Sequence, residues 1–295
     1  MNGREKGFLL LGSNLGNPER KPLTTAQLRT LAQRMAIMEK PKVERELIVE
    51  DILALGYGIE MAQRIFNLLS EDALLDRYLS RGRKAGCTPL TRVTQGYPLV
   101  VRQRLALEAP GVLWAKGDLS LLECPKIALV GSRNLEKPNE DFAGQVGVAA
   151  ARQGYVLISG NARGADRAAQ TACLEAGGKV ISVVADSLTS QRSQKEVLYL
   201  SEEGFDLPFT AIRAHSRNRV IHALGEMVFV AQASLGTGGT WAGTVQNLKC
   251  GWSPVYCCQD GAEATVQLCQ MGAQAITPEA LDSLSQLRHP HCGFL

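Results

Sequence analysis

From Val112 onward, the chain alternates short apolar runs with longer amphipathic stretches. The runs are "KIALVG", "YVLISG", "KVISVVA", "VLYLS", "MVFVA" and "SPVYCC". Between them, apolar residues recur at a spacing that predicts helices near 139–153, 164–176, 212–224, 241–250 and 262–271. Continuous apolar strands separated by helices are typical of a mainly parallel sheet covered on both faces. The pattern predicts an α/β fold with a Rossmann-like doubly wound sheet.

The first part of the chain has a helical periodicity instead. "LTTAQLRTLAQRMAIM" begins with a threonine cap, and "VEDILALGYGIEMAQRIFNLLSEDALLDRYL" continues the spacing to about residue 80. A basic segment rich in turn residues follows, "RGRKAGCTPLTRVTQGYP". We therefore predict a small all-helical domain at 1–83, a connector at 84–111 and a Rossmann-like domain at 112–295.

A glycine pair interrupts the helical domain. Gly56-Tyr57-Gly58 separates two helical stretches, and Ala62 and Ile65 follow in the second one. This spacing fits a helix-hairpin-helix, in which glycine amides face a DNA phosphate and a small alanine lets the helices cross closely. It fits equally well a helical pair that is joined by a glycine turn and packed through an alanine. Both interpretations remain open at this point.

Three predicted strands end in loops that favour an anion. Because the ligands of a doubly wound sheet bind at the carboxyl ends of its strands, these loops are expected at one edge. Glycines allow close backbone approach, and the amides at a helix start attract negative charge. A single loop of this kind is more often a plain tight turn, whereas three on one edge favour an anion-binding groove. The candidate residues in these loops are Gly131, Ser132, Arg133, Ser159, Gly160, Arg163, Gly164, Gly238, Gly239 and Thr240.

A basic helix precedes the strand that leads into the third loop. "RAHSRNRVIHALG" places Arg213, Arg217, Asn218 and Arg219 within two helical turns. An isolated cluster of this kind is usually a solvated face. Here its position in the chain lets it reach the same sheet edge, so we include it among the candidate phosphate-binding residues.

Composition narrows the classes of function. A net charge of +3 over 295 residues means that any nucleic-acid site is a local concentration of basic residues. The eight cysteines show no paired CxxC spacing, so we predict free thiols, no metal and no cofactor. "GFLLLGSNLG" is too short for a signal peptide, and no stretch has the length of a membrane span. The sequence thus predicts a cytoplasmic protein with no membrane partner.

Two common nucleotide chemistries lack their motifs. "GSRNLE" has no third glycine, and we find no acidic residue after the second strand to bind a ribose, so NAD-dependent redox chemistry is disfavoured. No GK[ST] occurs, which disfavours P-loop hydrolysis.

Several motifs, in order, resemble the DprA/Smf (DNA-processing protein A) family. They are "YPLVVRQRLALEAPGVLWAKGDLSLL", "IALVGSRN", "VLISGNARGADRAAQTACLEAGGKVISVVA" and "LYLSEEGFDLPFTAIRAHSRNRVIHALGEMVFVAQA". The resemblance covers about residues 96–260. The family lies within a wider superfamily of Rossmann-like nucleotide-binding proteins related to the lonely-guy enzymes.

The chain also departs from the family pattern. Gln170 stands where the family usually has His, and Gln232 where it usually has Glu. "GTGGTWAGTVQNLKCG" replaces the usual third loop. The chain ends soon after the last predicted Rossmann elements, so we expect a divergent member without a carboxyl-terminal winged-helix-like domain.

The resemblance implies a function in DNA processing, recombination and natural transformation. It implies a homodimer that forms through the Rossmann domain, single-stranded DNA as the ligand, and help in loading a RecA-type recombinase. Lys179 is a weaker candidate contact in the groove, and Trp241 is a candidate platform for base stacking.

Two functions follow from these observations. The first is a non-enzymatic binder of single-stranded DNA with no catalytic residue. The second is a nucleotide sensor or nucleotide-processing enzyme like the phosphoribohydrolases of the wider superfamily. The third loop has no acid up to Asn247, and Asp166 and Glu202 are the only carboxylates expected nearby. Since general acid–base cleavage then lacks an evident catalyst, the first function is favoured.

Overall fold

The computed structural model describes residues 1–17, 19–37 and 46–287. The α-helices are α1 Gly3–Gly12, α2 Thr25–Ile37, α3 Val49–Ala54, α4 Ile59–Leu69, α5 Asp72–Lys84, α6 Leu99–Leu105, α7 Lys137–Arg152, α8 Ala165–Glu175, α9 Ala211–Ser216, α10 Asn218–Leu224, α11 Gly238–Cys250, α12 Glu263–Gln270 and α13 Leu284–Leu287. The strands are β1 Cys87–Thr91, β2 Val112–Lys116, β3 Lys126–Val130, β4 Val156–Ser159, β5 Lys179–Val183, β6 Val197–Glu202, β7 Val228–Val230, β8 Val255–Cys258 and β9 Gln274–Ile276.

The strands form one sheet in the order β1-β2-β6-β5-β4-β3-β7-β8-β9. Pairing is parallel from β6 to β9, and the two antiparallel pairs are β1–β2 and β2–β6. The predicted Rossmann-like, mainly parallel α/β fold is therefore confirmed. The chain leaves β3 towards β4 and later returns on the other side of β3 to form β7, which makes the carboxyl end of β3 a topological switch point.

Both faces of the sheet are covered, because successive strand residues point to opposite sides. In β3, Ile127 and Leu129 pack into a core with α1, α5, α7 and α8. Ala128 and Val130 pack into a second core with α6, α10 and α12. This two-sided burial is the reason that the central strands are apolar at most positions.

The segment predicted as a connector, 84–111, contributes regular structure to the sheet. β1 pairs with β2 along its whole length, and α6 packs its buried residues Val101 and Leu105 into the second core. The periodicity gave no sign of β1, because it has only five residues, includes Pro89 and lies at the sheet edge. β2 and the three-residue strand β9 were likewise not predicted as strands.

The helical part has a small core of its own and joins the sheet through aromatic side chains. Ile52, Ala62 and Ile65 are buried between its helices. The Tyr78 ring on α5 packs edge-on against Trp114 of β2, with 5.3 Å between ring centroids. The glycine turn predicted between two helices lies between α3 and α4, with Gly56 at φ +83°. This geometry is common to both interpretations of the segment, so DNA binding by it stays a prediction.

Candidate functional site: a basic cavity at the switch point

The loops after β3 and β4 are packed directly against each other. A Cβ on Gly131 would lie 2.4 Å from the Ala165 Cβ. Gly164 has φ +86°, and a Cβ there would lie 2.5 Å from the Ser132 carbonyl oxygen. These two glycines therefore bring the loops together. The Ser132 amide donates to the Gln232 carbonyl at 2.9 Å, so it is already used within the protein.

Beside these loops lies a cavity of about 440 Å³ at the carboxyl ends of β3, β4 and β5. Its position agrees with the rule that ligands of an open α/β sheet bind near the switch point. It is lined by Arg133, Gly160, Asn161, Ala162, Arg163, Ala185, Asp186, Phe209 and Arg217.

At the base of the cavity is a buried ion pair. Arg217 is 7% exposed, and its Nη2 lies 3.8 Å from Oδ2 of Asp166. The same carboxylate oxygen accepts the Ala162 amide at 3.1 Å. Burial raises the pKa of Asp166, while Arg217 and the amides of Ala162 and Gly160 oppose that shift.

Arg217 has unused hydrogen-bonding capacity. Its Nε and Nη1 are buried without a partner among the described residues. The guanidinium lies against Gly160, where an added Cβ would come within 1.3 Å of Nη1, so a larger residue there would displace Arg217 from this position. Unsatisfied donors of a buried cation are costly, and an anion in the cavity would compensate for them.

Two more guanidinium groups stand at the rim. Arg133 is exposed, and it makes no hydrogen bond or ion pair within the described chain. Its Cζ lies 5.9 Å from the centroid of the Phe209 ring. Arg163 is also exposed, and its Nη2 donates to Oδ1 of Asn134 at 2.9 Å, which ties the second loop to the first. The rim therefore presents positive charge to solvent.

Among the cavity residues that sequence reasoning missed are Asp186 and Phe209. Asp186 lies three residues beyond the end of β5, and its Oδ1 accepts a hydrogen bond from Gln191 Nε2 at 3.1 Å. The expectation that Asp166 and Glu202 are the only nearby carboxylates was therefore wrong. The available signal was the position of Asp186 behind a third parallel strand, at the same edge. Phe209 is 54% exposed; it lies in the quoted motif "LYLSEEGFDLPFTAIRAHSRNRVIHALGEMVFVAQA" but was not chosen as a candidate site residue.

Several predicted contacts lie away from the cavity. Ser159 is fully buried, and its hydroxyl accepts from Gln170 Nε2 at 2.5 Å. Gln170, which stands where the family usually has His, thus has a structural partner here. Lys179 begins β5 and lies at the amino end of the strand, opposite the groove. The expectation that Ser159 and Lys179 face a ligand in this groove does not fit their positions.

The basic helix is split into α9 and α10, and its side chains differ in role. Nη1 of Arg213 donates to the carbonyls of Ala185, Leu207 and Pro208 at 2.5–3.1 Å, and Nη2 donates to the Ser201 hydroxyl at 2.7 Å. Both terminal nitrogens of this guanidinium are therefore used within the fold, and its Nε is buried without a partner among the described residues. Nη2 of Arg219 lies 3.3 Å from Oε1 of the buried Glu202. Arg217 is the member of the cluster that lines the cavity.

The third glycine loop is packed against α10, outside the cavity lining. Asn218 Nδ2 donates to the Gly239 carbonyl at 3.0 Å, so Asn218 faces this loop. Gly238, Gly239 and Thr240 form the first turn of α11. Trp241 is half-buried at the edge of the second core. The structure thus brings two of the three predicted loops together around one cavity.

Two further features concern metal ligands and membrane spans in the described ranges 1–17, 19–37 and 46–287. No group of three or more His, Cys, Asp or Glu residues in these ranges is placed to hold a metal ion. Within the same ranges, every helix is too short or too polar to span a bilayer.

Comparison with known sequences matches most of the sheet domain. The family described as DNA recombination-mediator protein A matches residues 88–287. The DNA processing protein DprA of Streptococcus pneumoniae is 36% identical over 141 residues, which cover 44% of this chain and 50% of the relative. The Bacillus subtilis protein of the same name is 27% identical over 216 residues, covering 68% and 72%. The match to the first of these relatives thus spans only half of its length.

Solved structures extend the likeness to nearly the whole chain. The X-ray structure of DNA processing protein A from Streptococcus pneumoniae has a TM-score of 0.73 and 25% identity, covering 97% of this chain and 98% of that chain. A structure of DNA processing protein A from Helicobacter pylori, described for its single-stranded DNA binding mode, has a TM-score of 0.58 and 23% identity. It covers 69% of this chain and 97% of that chain, and it supports the fold alone.

Proposed function

This chain belongs to the DNA recombination-mediator protein A family, and from that premise we propose that it binds single-stranded DNA without chemical turnover. The cavity at the switch point would hold a backbone phosphate. The description of the family as a DNA recombination mediator supports DNA as the ligand, and a member from Helicobacter pylori is described for its single-stranded DNA binding mode.

The incomplete hydrogen bonding of Arg217 carries the proposal. The cavity lining has three guanidinium groups, on Arg133, Arg163 and Arg217, and one carboxylate, on Asp186. Asp166 at the base and Asp186 in the lining offset two of these three positive charges, so the cavity keeps a net positive charge in a partly desolvated space. A phosphate supplies both the negative charge and the acceptor oxygens that buried guanidinium donors need.

The proposed roles differ among the candidate residues. Arg133 and Arg163 would contact phosphate oxygens from the rim, and Arg217 from the base. Gly131, Ser132, Gly160 and Gly164 would act by shaping the loops. Arg213, Asn218 and Arg219 would act indirectly, by holding α9 and α10 so that Arg217 stays in place.

The test is fluorescence anisotropy of a labelled oligo-dT with variants of Arg133. We expect Arg133→Ala to weaken binding by about 1.5–3 kcal/mol, the range for charge-assisted hydrogen bonds. Arg133→Lys should recover only part of this, because an ammonium lacks the planar fork. Arg152→Ala is the control, since Arg152 is an exposed arginine at the far end of α7. Unchanged affinity for Arg133→Ala would refute the proposed contact, and melting temperatures on the same samples check that the variants fold.

Asp186 favours a second candidate function, namely binding of a small nucleotide. A carboxylate beside the phosphate-binding cations can accept hydrogen bonds from ribose hydroxyls, and the cavity volume falls in the range of small-molecule sites. Competition of the bound oligo-dT by ATP, NAD and nucleoside monophosphates separates the two functions. Displacement at concentrations far below those of the matching deoxynucleotides would favour the nucleotide.

The partners implied by the family remain part of this proposal. We infer a homodimer formed through the Rossmann-like domain, a role in loading a RecA-type recombinase, and action in the cytoplasm where such a recombinase works. The description of the family as a recombination mediator supports the recombinase. Light scattering of the purified protein tests the dimer, and strand-exchange assays with and without it test the loading.

A further inference from the structure

A second cavity lies beside the first and shares a wall with it. Its volume is about 550 Å³, and it runs between the start of α7 and the outer face of α8. Arg133 and Arg163 line both cavities, so their guanidinium groups stand between the two. We call the second cavity the α8 groove. Its other lining residues are Leu135, Glu140, Gly164, Arg167, Ala168, Thr171, Ala172 and Glu175.

One end of the α8 groove is basic and uncompensated. Arg167 lies in the first turn of α8, is exposed, and makes no hydrogen bond or ion pair with any residue that the structure describes. Together with Arg133 and Arg163 it extends the row of guanidinium groups beyond the first cavity. The N-terminal end of α8 adds a partial positive charge beneath them.

The acidic residues of the groove do not cancel the positive charge of this row of guanidinium groups. Lys137 Nζ lies 3.4 Å from Oε2 of Glu140, so that carboxylate already has a cation. Glu175 is eight residues beyond Arg167 on the same helix, which places its backbone about 12 Å away. The groove is therefore positive at the end nearest the first cavity and negative at the far end.

The floor of the groove suits the remainder of a nucleotide. Leu135, Ala168 and Ala172 give it an apolar surface, and Thr171 adds a hydroxyl. Sugar carbons and a base face can pack on such a surface while the phosphate stays with the arginines. Glu140, in the first turn of α7, also lies at the basic end, but its carboxylate is paired with Lys137.

We propose that the α8 groove is a second backbone-phosphate site for the same DNA strand, which leaves the first cavity over Arg133 and Arg163 and continues onto Arg167. This inference rests on the proposed function. It adds the path that the strand follows over the protein and a longer binding site. We also expect the contacts between the strand and the groove to end near Glu175, where the charge of the groove changes sign.

The experiment measures affinity for labelled oligo-dT of increasing length, from about 4 to about 16 nucleotides, the span of common single-strand sites. We expect Arg167→Ala not to change the affinity for the shortest oligonucleotide that the wild type binds. The same variant should weaken binding of the longer ones about 5–10-fold. It should also lower the log–log salt slope for long oligonucleotides by about 0.7, the value for one lost phosphate contact. Arg133→Ala should weaken binding at every length, because that side chain borders both cavities.

Arg152→Ala serves as the matched control and should change none of these values. Normal binding by Arg167→Ala at every length, or an equal loss at every length, would refute the α8 groove while leaving the proposed function intact. If the wild type binds no oligonucleotide at low salt, the proposed function and this inference both fail. Since Arg167 is exposed, its variant should keep the wild-type melting temperature, which confirms that any loss arises in the folded protein.

Discussion

At the scale of single residues, three arginines on one short stretch show how little the residue type says about its role. Arg213 and Arg217 are four residues apart, yet the first donates to backbone carbonyls and the second keeps donors free beside a cavity. The difference depends on partners far away in sequence, such as Ala185 and Asp166. A sequence pattern can mark the cluster as basic, whereas the fold decides which member is available to a ligand.

Another buried residue makes stability depend on pH. His222 is completely buried, and burial lowers the pKa of its ring to about 3. Asn247 Nδ2 lies 3.2 Å from Nδ1, which suits a neutral ring that accepts at this nitrogen. In the unfolded chain the pKa is about 6.5. As pH falls below that value the unfolded state binds the proton first, so stability present above about pH 6.5 is lost towards pH 3.

We therefore expect the free energy of unfolding to fall by about 2 kcal/mol between pH 7 and pH 5 because of this one group. Urea unfolding at the two pH values measures it in the wild type and in His222→Gln. Glutamine does not titrate, so the variant should lose less stability over the same interval. An equal loss in both proteins would show that His222 is not the group responsible.

At the scale of elements, periodicity located the six strands β3 to β8, because each is a run of apolar residues buried on both faces. It did not locate β1 and β9, which are short edge strands whose pairing depends on the rest of the sheet. The loops were predicted at the correct edge. Their glycines serve a different purpose from the predicted one, since Gly131 and Gly164 fit one loop against the other. Contacts of that kind between distant segments leave no local signal.

Gly164 offers a test of this interpretation. Its φ of +86° with ψ of −128° is a conformation that alanine rarely adopts, and an added Cβ would press on the carbonyls of Ser132 and Arg133. We expect Gly164→Ala to lower the free energy of unfolding by about 1–3 kcal/mol and to weaken DNA binding, because Arg133 moves with its loop. Gly154→Ala is the matched control: φ is +75° there, but the space around it is open. If the two variants lose equal stability, contact between the loops is not the cause.

At the scale of the whole molecule, the helical part and the sheet are joined through specific contacts. Tyr78 on α5 donates its hydroxyl to Oδ1 of Asp206 at 2.7 Å, and Arg81 Nη2 lies 2.8 Å from the other oxygen of that carboxylate. The residues that line the two cavities, by contrast, all lie between Arg133 and Arg217 in the sequence. The DNA site that we propose is therefore built entirely by the Rossmann-like part of the chain.

The overall charge of the molecule bears on where DNA binds and on which form of DNA it prefers. Because the net charge is only +3, we expect the attraction to DNA to come from a local concentration of basic residues, the row formed by Arg133, Arg163, Arg167 and Arg217. A flexible single strand can follow the arginines from the first cavity into the α8 groove, so single strands should bind more tightly than duplex of the same sequence. Sequence preference should be weak, because phosphate contacts carry little base information.

The salt dependence should then reveal how many phosphates are held. Each contact contributes about −0.7 to the slope of log affinity against log salt for a single strand, so two or three contacts predict a slope of about −1.4 to −2.1. Anisotropy titrations with single-stranded and duplex DNA at several salt concentrations measure both quantities. A much steeper slope would mean that the strand contacts a wider surface than this row. Equal affinity for duplex would contradict a site that requires a flexible single strand.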